Sequence, residues 1–334
     1  MPLPLGIVDK VGAELATRFD HRVVDLRKPA VRAIFELRAA LLEGLRAAFR
    51  ARGFLEVETP KLLRQGAEGG ATLFGVDYFE TRAFLAQSPQ LYKQMLMSAG
   101  FERVFEIAPA FRAEPSDTVR HITEFTSVDA EMAYLDGAEE IRSTLEGVVV
   151  DALATARTAL TATANPLVAT LPVAQAPFPR LAFDELTDLL HRPNGAADLG
   201  TEEERALGEL MATERKTPFF FVTDFPSAVK AQTFYAQRRD DDPAHTHYFD
   251  LYFGSMELAS GGVREHRIDR LRENFAAAGV DPGRFAGYLE GFRFGMPPHG
   301  GFGFGLDRFV AVAAQLGNVR EARLFPRDRY RLDP

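Results

Sequence analysis

The sequence predicts an α+β fold that forms one large domain over residues 1–334. Two patterns indicate it: amphipathic helical spacing near the start of the chain, and runs of period-two alternation, many of them punctuated by glycine. Size is a third observation, because 334 residues with 46% hydrophobic content can bury a large core. Helices and strands are therefore expected to share one core.

The first predicted helix covers residues 30–52, "AVRAIFELRAALLEGLRAAFRAR". Its apolar residues recur at three- and four-residue steps, at Ile34, Leu37, Leu41, Leu45 and Phe49. Gly53 is expected to end the helix, because glycine readily adopts the left-handed conformation that often follows a helix. The apolar stripe needs a partner surface, so the helix is expected to pack on a sheet.

An extended segment and a second helix follow. "FLEVETP" alternates as a strand up to Pro60. "SPQLYKQMLMSAG" predicts a helix with Ser88 as its N-cap, Pro89 at the first helical position and Gly100 after its last turn. The sequence therefore specifies both ends of this helix.

The middle of the chain has a different composition. From about 137 to 215 it is rich in Ala, Glu, Thr and Leu at helical spacing, interrupted by Pro and Gly. This pattern favours an insertion of helices and loops. Residues 217–334 return to strand-like sequence and end with the predicted helix "LDRFVAVAAQLGN".

Composition narrows the classes of function. A net charge of -8 provides no global basic field for nucleic acid or acidic membranes. The absence of cysteine excludes disulfides, thiolate zinc sites and cysteine nucleophiles, so a metal would use oxygen or imidazole ligands. The first residues lack the pattern of a secretion signal, and no segment approaches the roughly 20 apolar residues of a membrane helix. We expect a cytoplasmic protein with no membrane partner.

Charged residues are concentrated in one hairpin, from Phe111 to Asp129. In "RVFEIAPAFRAE" alternation places charges on one face, at Glu106, Arg112 and Glu114, and apolar residues on the other, at Phe105, Ile107 and Phe111. The returning strand "HITEFTSVDAEM" carries Phe125, Asp129 and Glu131 on a common face. A guanidinium beside an aromatic ring suits the phosphate and base of a nucleotide. The solvated face of an edge hairpin explains the charges equally well.

A second group of polar residues lies in "HYFDLYFGSMELASGGVREHR". A two-residue turn at 254–255 pairs Tyr252 with Glu257 and makes Asp250 and Glu257 diagonal neighbours on one face. Two carboxylates suit Mg²⁺, which binds through one or two carboxylates together with substrate phosphates. The alternative is that nearby Arg264 or Arg267 holds the two carboxylates.

The third segment, "PPHGGFGFGLDRFV", has glycines at positions 300, 301, 303 and 305. They remove side chains where a flat ligand can lie on the strand, and Arg308 follows near the start of a helix. A tightly packed strand is the alternative explanation. The segment lacks the lysine and the spacing of a P-loop.

In this order, the segments resemble the class II aminoacyl-tRNA synthetases, specifically the archaeal and eukaryotic-type aspartyl-tRNA synthetases. "GFLEVETPKL" is similar to motif 1 of that family, "FRAE" to "EFTSVDAEM" to motif 2, and "PPHGGFGFGLDRFV" to motif 3. "FDHRVVDLRKP", "AEGGATLFGVDYFETRAFLAQSPQLYKQ", "ELASGGVREHR" and "LFPRDRYRLDP" extend the resemblance over nearly the whole chain. Their order is far more specific than any one of them.

The resemblance implies a six- to seven-stranded antiparallel sheet flanked by helices, and a homodimer formed through the segment around Pro60. It implies ATP as substrate and Mg²⁺ as cofactor. The implied catalytic residues are Arg112, on the α-phosphate and the amino-acid carboxylate, and Arg308, on the γ-phosphate. Phe125 is implied to stack on adenine and Glu114 to contact its edge. No general base is required, because the carboxylate that attacks is already a nucleophile at pH 7.

The resemblance also implies sets of binding residues. The ATP-binding residues are Arg112, Glu114, Arg120, His121, Phe125, Glu257, Gly305 and Arg308. The metal-site residues are Asp250, Glu257 and Ser260. The amino-acid-binding residues are Glu68, Ser88, Gln90, Lys93, Arg112, Asp129 and Arg264.

The amino acid is expected to be aspartate. Gln90 and Lys93 lie three apart on one helix face and are expected to reach one pocket. The aspartate enzymes of the family carry lysine where asparagine enzymes carry an apolar residue, and Lys93 together with Arg264 implies a substrate carboxylate. Two departures from the family lie near this pocket: extra residues between Lys230 and Tyr235, and Val263 where glutamine is common. They leave open a β-substituted or N-modified aspartate.

The acceptor of the aspartyl group is a separate question. In the family an anticodon-binding β-barrel precedes the segment that starts here at Phe19, and the residues before it are too few to form one. The sequence therefore favours a stand-alone paralogue that transfers the acyl group to a small molecule, an amine or ammonia. The alternatives are an enzyme that charges tRNA through acceptor-stem contacts alone and a non-catalytic binding or regulatory protein.

Overall fold

The computed structural model describes residues 3–10, 12–66, 72–114, 118–192 and 198–333. The helices are α1 (Leu15–Asp20), α2 (Arg22–Asp25), α3 (Pro29–Ala51), α4 (Gln90–Ser98), α5 (Ala138–Ala162), α6 (Glu185–Leu189), α7 (Thr201–Leu210), α8 (Ile268–Ala277), α9 (Ala286–Phe294) and α10 (Leu306–Ala313). The strands are β1 (Leu55–Glu56), β2 (Leu62–Leu63), β3 (Gly75–Tyr78), β4 (Thr81–Leu85), β5 (Arg103–Phe111), β6 (Glu124–Ala133), β7 (Arg180–Ala182), β8 (Phe219–Thr223), β9 (Tyr248–Phe253), β10 (Met256–Arg264) and β11 (His299–Gly305).

The main sheet has eight strands within the described residues, in the order β1-β5-β6-β11-β10-β9-β8-β7. Its six central strands pair antiparallel, as predicted. The two edge strands β1 and β7 pair parallel to β5 and β8, respectively. A small sheet, β2-β4-β3, lies apart from it. The expected antiparallel α+β architecture is confirmed, with short strands added at both edges.

One face of the main sheet forms the core. Alternate residues of the central strands, such as Phe105, Val128 and Phe302, join a buried apolar cluster with residues of α3 and α5. Helix α3 covers the predicted span to within one residue at each end, and Gly53 follows it with φ +77°, as expected for a helix stop. The opposite face carries two further buried apolar clusters, one with residues of α8 and α9 and one with residues of α6 and α7. The part of this face that they leave uncovered lines a cavity and is available to a ligand.

The segment predicted to be an inserted unit contributes to this core. Helix α5 buries residues along most of its length and lies close to α3, where a Cβ on Gly44 would come within 2.8 Å of the Ala152 carbonyl oxygen. Strand β7 extends the sheet beside β8. The helices α6 and α7 of the same segment pack in a separate buried cluster with residues of β8 and β9.

The second predicted helix begins one residue later than expected. Pro89 is the N-cap of α4, and Ser88 Oγ accepts a hydrogen bond from the Gln90 backbone N–H at 3.3 Å. Gly100 ends the helix with φ +89°. In the described parts of the chain, no helix is long and apolar enough to cross a membrane.

Candidate active site

A row of paired residues crosses the face of the sheet that lies opposite the main core. Asp129 on β6 lies opposite Glu106 on β5 and Gly303 on β11, and Gly303 lies opposite Ser260 on β10. A Cβ on Gly303 would lie 3.3 Å from Asp129 Oδ1, in space that the glycine leaves open. Gly301, two residues earlier, is required by packing, because its Cβ would lie 2.0 Å from the Ala130 carbonyl oxygen.

A cavity of about 450 Å³ opens on this face. Most of the predicted site residues line it: Ser88, Gln90, Arg112, Glu114, Arg120, His121, Phe125, Asp129, Glu257, Ser260, Gly305 and Arg308. Three others, Lys93, Arg264 and Asp250, are buried behind its wall. Glu68 lies outside the described residues. The structure thus brings the three sequence segments together around one space.

The β9–β10 hairpin presents the predicted metal residues. Tyr252 pairs with Glu257, as the turn at 254–255 predicted. A β-bulge follows between Glu257 and Ala259, so that Ser260 lies directly opposite Asp250. In a regular strand residues three apart face opposite sides. The extra residue in the bulge allows Glu257 and Ser260 to share the face of Asp250.

Asp250 is a buried carboxylate with one ionic partner. Lys230 Nζ lies 3.2 Å from Asp250 Oδ2, and among the described residues Oδ1 has no hydrogen-bond partner. Burial raises the pKa of Asp250 to about 6, against the opposing charge of Lys230. Asp250 also raises the pKa of Lys230 despite its burial, so this lysine stays charged.

The same residues fit a magnesium ion that is shared with phosphates. The described residues contain no cluster of three or more His, Asp or Glu side chains arranged to hold a metal. Mg²⁺ needs only one or two carboxylates when phosphate oxygens and water complete its shell. Glu257 and Ser260 line the cavity, and the unpartnered Oδ1 of Asp250 is an acceptor beside them. A substrate-supported site fits this donor set, whereas an all-protein site does not.

Positive charge is concentrated at one end of the cavity. Arg308 Nη1 donates to the Glu257 carbonyl oxygen at 2.9 Å, which fixes its guanidinium beside the hairpin. Burial lowers the pKa of His121, and the charges of Arg308, Arg112 and Arg120 lower it further, while Glu114 opposes them. The same three arginines line one cavity, where they can bind one polyanion together.

An aromatic ring lies beside these cations. The Arg112 guanidinium carbon is 5.3 Å from the centroid of the Phe125 ring. Glu114 Oε2 lies 3.4 Å from His121 Nε2, and His121 Nδ1 contacts Thr118 Oγ1 at 2.6 Å. The hairpin charges therefore belong to a cavity wall, and the alternative of a solvated edge hairpin does not describe them.

Four buried charges form a network at the other end. Lys93 Nζ lies 3.0 Å from Asp129 Oδ1 and 3.4 Å from Glu131 Oε2. Arg264 Nε lies 3.0 Å from Glu131 Oε1, and its Nη1 donates to the Tyr248 hydroxyl at 3.3 Å. The neighbouring cations, Arg264 first, hold the pKa of Glu131 below its usual value although burial opposes this, so its carboxylate is ionised.

Sequence reasoning gave no role to several residues that line the cavity: Ser127, Lys230, Thr233, Tyr235 and Tyr248. Lys230 and Tyr235 entered it only as the ends of a segment expected near the amino-acid pocket. Alternation could have predicted Ser127, because it lies between Phe125 and Asp129 on the same face of β6. Lys230 and Thr233 lie in the connection between β8 and β9, where no periodicity indicates direction. The only indication in the sequence was that "FPSAVKAQTFYAQ" has extra residues relative to the family.

Comparison with known proteins adds independent information. The family of tRNA synthetases class II (D, K and N) matches residues 14–329. Aspartate--tRNA(Asp) ligase of Thermococcus kodakarensis is 45% identical over 337 residues, covering 100% of this chain and 76% of that protein. Aspartate--tRNA(Asp/Asn) ligase of Methanothermobacter thermautotrophicus is 44% identical, covering 100% of this chain and 75% of that protein.

A solved structure agrees with the sequence relatives. Asparaginyl-tRNA synthetase from Pyrococcus horikoshii, complexed with asparaginyl-adenylate, has a TM-score of 0.88 and 34% identity, and the match covers 96% of this chain and 74% of that one. The fold, the ordered motifs and the family match all indicate the same family. This chain is therefore a ligase that belongs to the class II tRNA synthetases of the D, K and N group.

Proposed function

We propose that this chain activates aspartate with ATP, forming aspartyl-adenylate and releasing pyrophosphate. One observation carries the proposal: a single cavity has an arginine-rich end beside an aromatic ring and, at its other end, a buried network that contains Lys93 and Arg264. The names of the curated relatives, aspartate--tRNA ligases, support the choice of aspartate.

The charges of the network favour a substrate with a side-chain carboxylate. Lys93 and Arg264 balance Asp129 and Glu131 when no substrate is bound. The substrate ammonium group needs an anion, and of the two carboxylates in the network it is Asp129 that lines the cavity. Pairing Asp129 with the ammonium leaves one buried positive charge in excess. The β-carboxylate of aspartate neutralises that charge, and the amide of asparagine does not.

The chemistry at the phosphate end needs orientation and charge stabilisation. The α-carboxylate of aspartate attacks the α-phosphorus, the bond to the bridging oxygen breaks, and pyrophosphate leaves. Both Arg112 and Arg308 line the cavity. We assign Arg112 to the α-phosphate and the attacking carboxylate, and Arg308 to the departing phosphates. Asp250, Glu257 and Ser260 are the residues that would hold magnesium, which neutralises phosphate charge when bound.

Pyrophosphate exchange into ATP tests the activation step. We expect exchange that depends on aspartate and magnesium, with asparagine less effective by at least about 100-fold, because it leaves a buried cation without its partner. Equal exchange rates with the two amino acids would refute the proposal for aspartate. Absence of adenylate with every amino acid would favour a binding or regulatory protein.

For the second step we propose transfer to a small molecule, an amine or ammonia. The net charge of -8 and the lack of an evident basic stripe support this acceptor class over tRNA. The names of the relatives favour tRNA, which is the second candidate. The test is to form adenylate with labelled aspartate and then add total tRNA, ammonia or amines separately. Efficient charging of tRNA would overturn the preference for a small acceptor.

A further inference from the structure

Helix α7 lies against the turn of the active-site hairpin. A Cβ on Gly208 would lie 2.6 Å from the carbonyl carbon of Gly254 and 2.7 Å from the backbone nitrogen of Ser255. Backbone atoms cannot move aside as a flexible side chain can, so only glycine permits this approach. The N-terminus of α7 is fixed as well, because Glu203 accepts a hydrogen bond from the Gly200 N–H at 2.7 Å.

From this position α7 reaches the nucleotide end of the cavity. Glu204 Oε2 accepts a hydrogen bond from Arg120 Nη1, and Ser255 Oγ lies 3.2 Å from Arg120 Nη2. The Arg120 side chain is 17% exposed and that of Glu204 is 14% exposed. Arg120 lines the cavity, whereas Glu204 is not among the described residues that do so. Glu204 therefore touches the cavity only through Arg120.

The charge of Glu204 also acts on the rest of this end. Burial raises the pKa of Glu204, the charge of Arg120 opposes this rise, and the charges of Glu257 and Arg308 act on the same carboxylate. These are the residues placed beside the departing phosphates. Arg120 is thus held in the part of the cavity where the β- and γ-phosphates belong.

We propose that Glu204 is a positioning residue that holds Arg120 in place for the triphosphate of ATP. The inference deepens the proposed function, on which it rests. An arginine side chain loses considerable rotamer freedom when it binds an anion, and a guanidinium already fixed through two of its nitrogens loses less. Glu204 and Ser255 occupy one N–H of each Nη group, which leaves other N–H groups for phosphate oxygens.

The test compares binding of ATP with binding of AMP, measured by calorimetry without amino acid. We expect Glu204→Gln to weaken ATP binding about five- to tenfold and to leave AMP binding unchanged, because AMP lacks the phosphates near Arg120. Glu202→Gln, on the exposed side of the same helix, is the matched control and should change neither. Equal weakening of ATP and AMP, or tighter ATP binding, would overturn the proposal.

A double-mutant cycle separates positioning from a general effect on stability. In the Arg120→Ala background, Glu204→Gln should weaken ATP binding much less than it does in the wild type, because the side chain that Glu204 positions is absent. Additive effects would refute the coupling. Gly208→Ala provides a second route, since it displaces α7 without removing a charge and should weaken ATP binding selectively. A Gly208→Ala protein with unchanged melting temperature and unchanged ATP affinity would also contradict the proposal.

These measurements are independent of turnover. Failure of the proposed function appears as wild-type protein that binds ATP but supports no exchange with aspartate. Failure of the positioning role appears as ATP affinity that does not respond to Glu204. The two outcomes are therefore distinguishable.

Discussion

Lys93 Nζ and Asp129 Oδ1 lie 3.0 Å apart, and both side chains are almost completely buried. The sequence indicated that Lys93 reaches the amino-acid pocket. In the structure Lys93 does not line the cavity but contacts Asp129, which does. Its influence on a substrate therefore passes partly through Asp129, which lines the cavity. We therefore expect the charge of Lys93 to influence selectivity.

Lys93→Met should reduce the preference for aspartate over asparagine. The variant keeps most of the side-chain volume and removes the buried charge, so the ratio of kcat/KM values for the two amino acids in exchange should fall at least about tenfold. Lys216→Met, which replaces an exposed lysine, is the control. Loss of one partner of a buried pair can cost about 3–5 kcal/mol, so the assay must be run well below the measured melting temperature. An unchanged ratio in a folded Lys93→Met protein would show that selectivity lies elsewhere.

Glu257→Ala should greatly reduce aspartate-dependent exchange while the protein stays folded. The Glu257 side chain is 36% exposed, so its removal should change the melting temperature little. Glu257 is a proposed magnesium ligand, and bound magnesium would neutralise phosphate charge. We therefore expect exchange to fall at least about 100-fold and the magnesium concentration for half-maximal rate to rise. The opposite pattern, a lower melting temperature with normal exchange, would indicate a structural carboxylate.

Acid should destabilise the protein through His299. Burial lowers the pKa of His299 from its ordinary 6.5 to about 4. Between these values the unfolded chain binds more protons than the folded one, so the free energy of unfolding falls as the pH falls from 6.5 towards 4. The full effect of this one group is about 3 kcal/mol.

Urea unfolding across that pH range measures this effect. His121, His247 and His266 also have lowered pKa values, so the wild-type slope alone is not specific to His299. His299→Gln isolates its contribution, because the variant should show a shallower dependence on pH than the wild type. Identical slopes in the two proteins would contradict the assignment.

The chain should form a homodimer through the segment around Pro60. Leu55 and Leu62 flank that proline and are 52% and 50% exposed in the single chain. Apolar residues exposed on short strands at a sheet edge favour contact with another chain. Sedimentation velocity at micromolar concentration should show a dimer for the wild type and for Leu332→Glu, a control at another exposed leucine. Leu62→Glu should shift the population towards monomer, and a monomeric wild type would refute the prediction.

Sequence alone predicted those features that local periodicity determines. The common face of Phe125, Asp129 and Glu131 followed from alternation, and the stop at Gly53 followed from the conformations open to glycine. Strand β1 lies within the predicted alternating segment "FLEVETP" but has only two residues. Strand β7 has three residues, too few to show alternation, so the sheet is wider than expected. Alternation could not place Ser260 with Glu257, because the bulge between them has no signal in the sequence.

Lys230 shows a different limit. It lies in a connection, and its position beside Asp250 depends on how the whole β8–β9 segment folds back over the sheet. The ring of Phe225 also supports it, with Nζ 3.9 Å from the ring centroid. Neither helical nor strand periodicity would place Asp250 or Phe225 beside Lys230. The tertiary structure is therefore needed to show that this lysine faces the site.

The bulge in β10 adds one residue to the strand without changing the face on which Glu257 and Ser260 lie. Leu258 is the extra residue, and its side chain is buried in the core cluster. A chain shortened by Leu258 would still pair Glu257 with Tyr252 and Ser260 with Asp250, now in regular succession. The carboxylate and the hydroxyl would keep their face, while the strand would lose the additional twist that a bulge introduces and the buried side chain of Leu258. Deleting this single residue is thus a way to vary the angle between two ligands while their chemical identity stays constant.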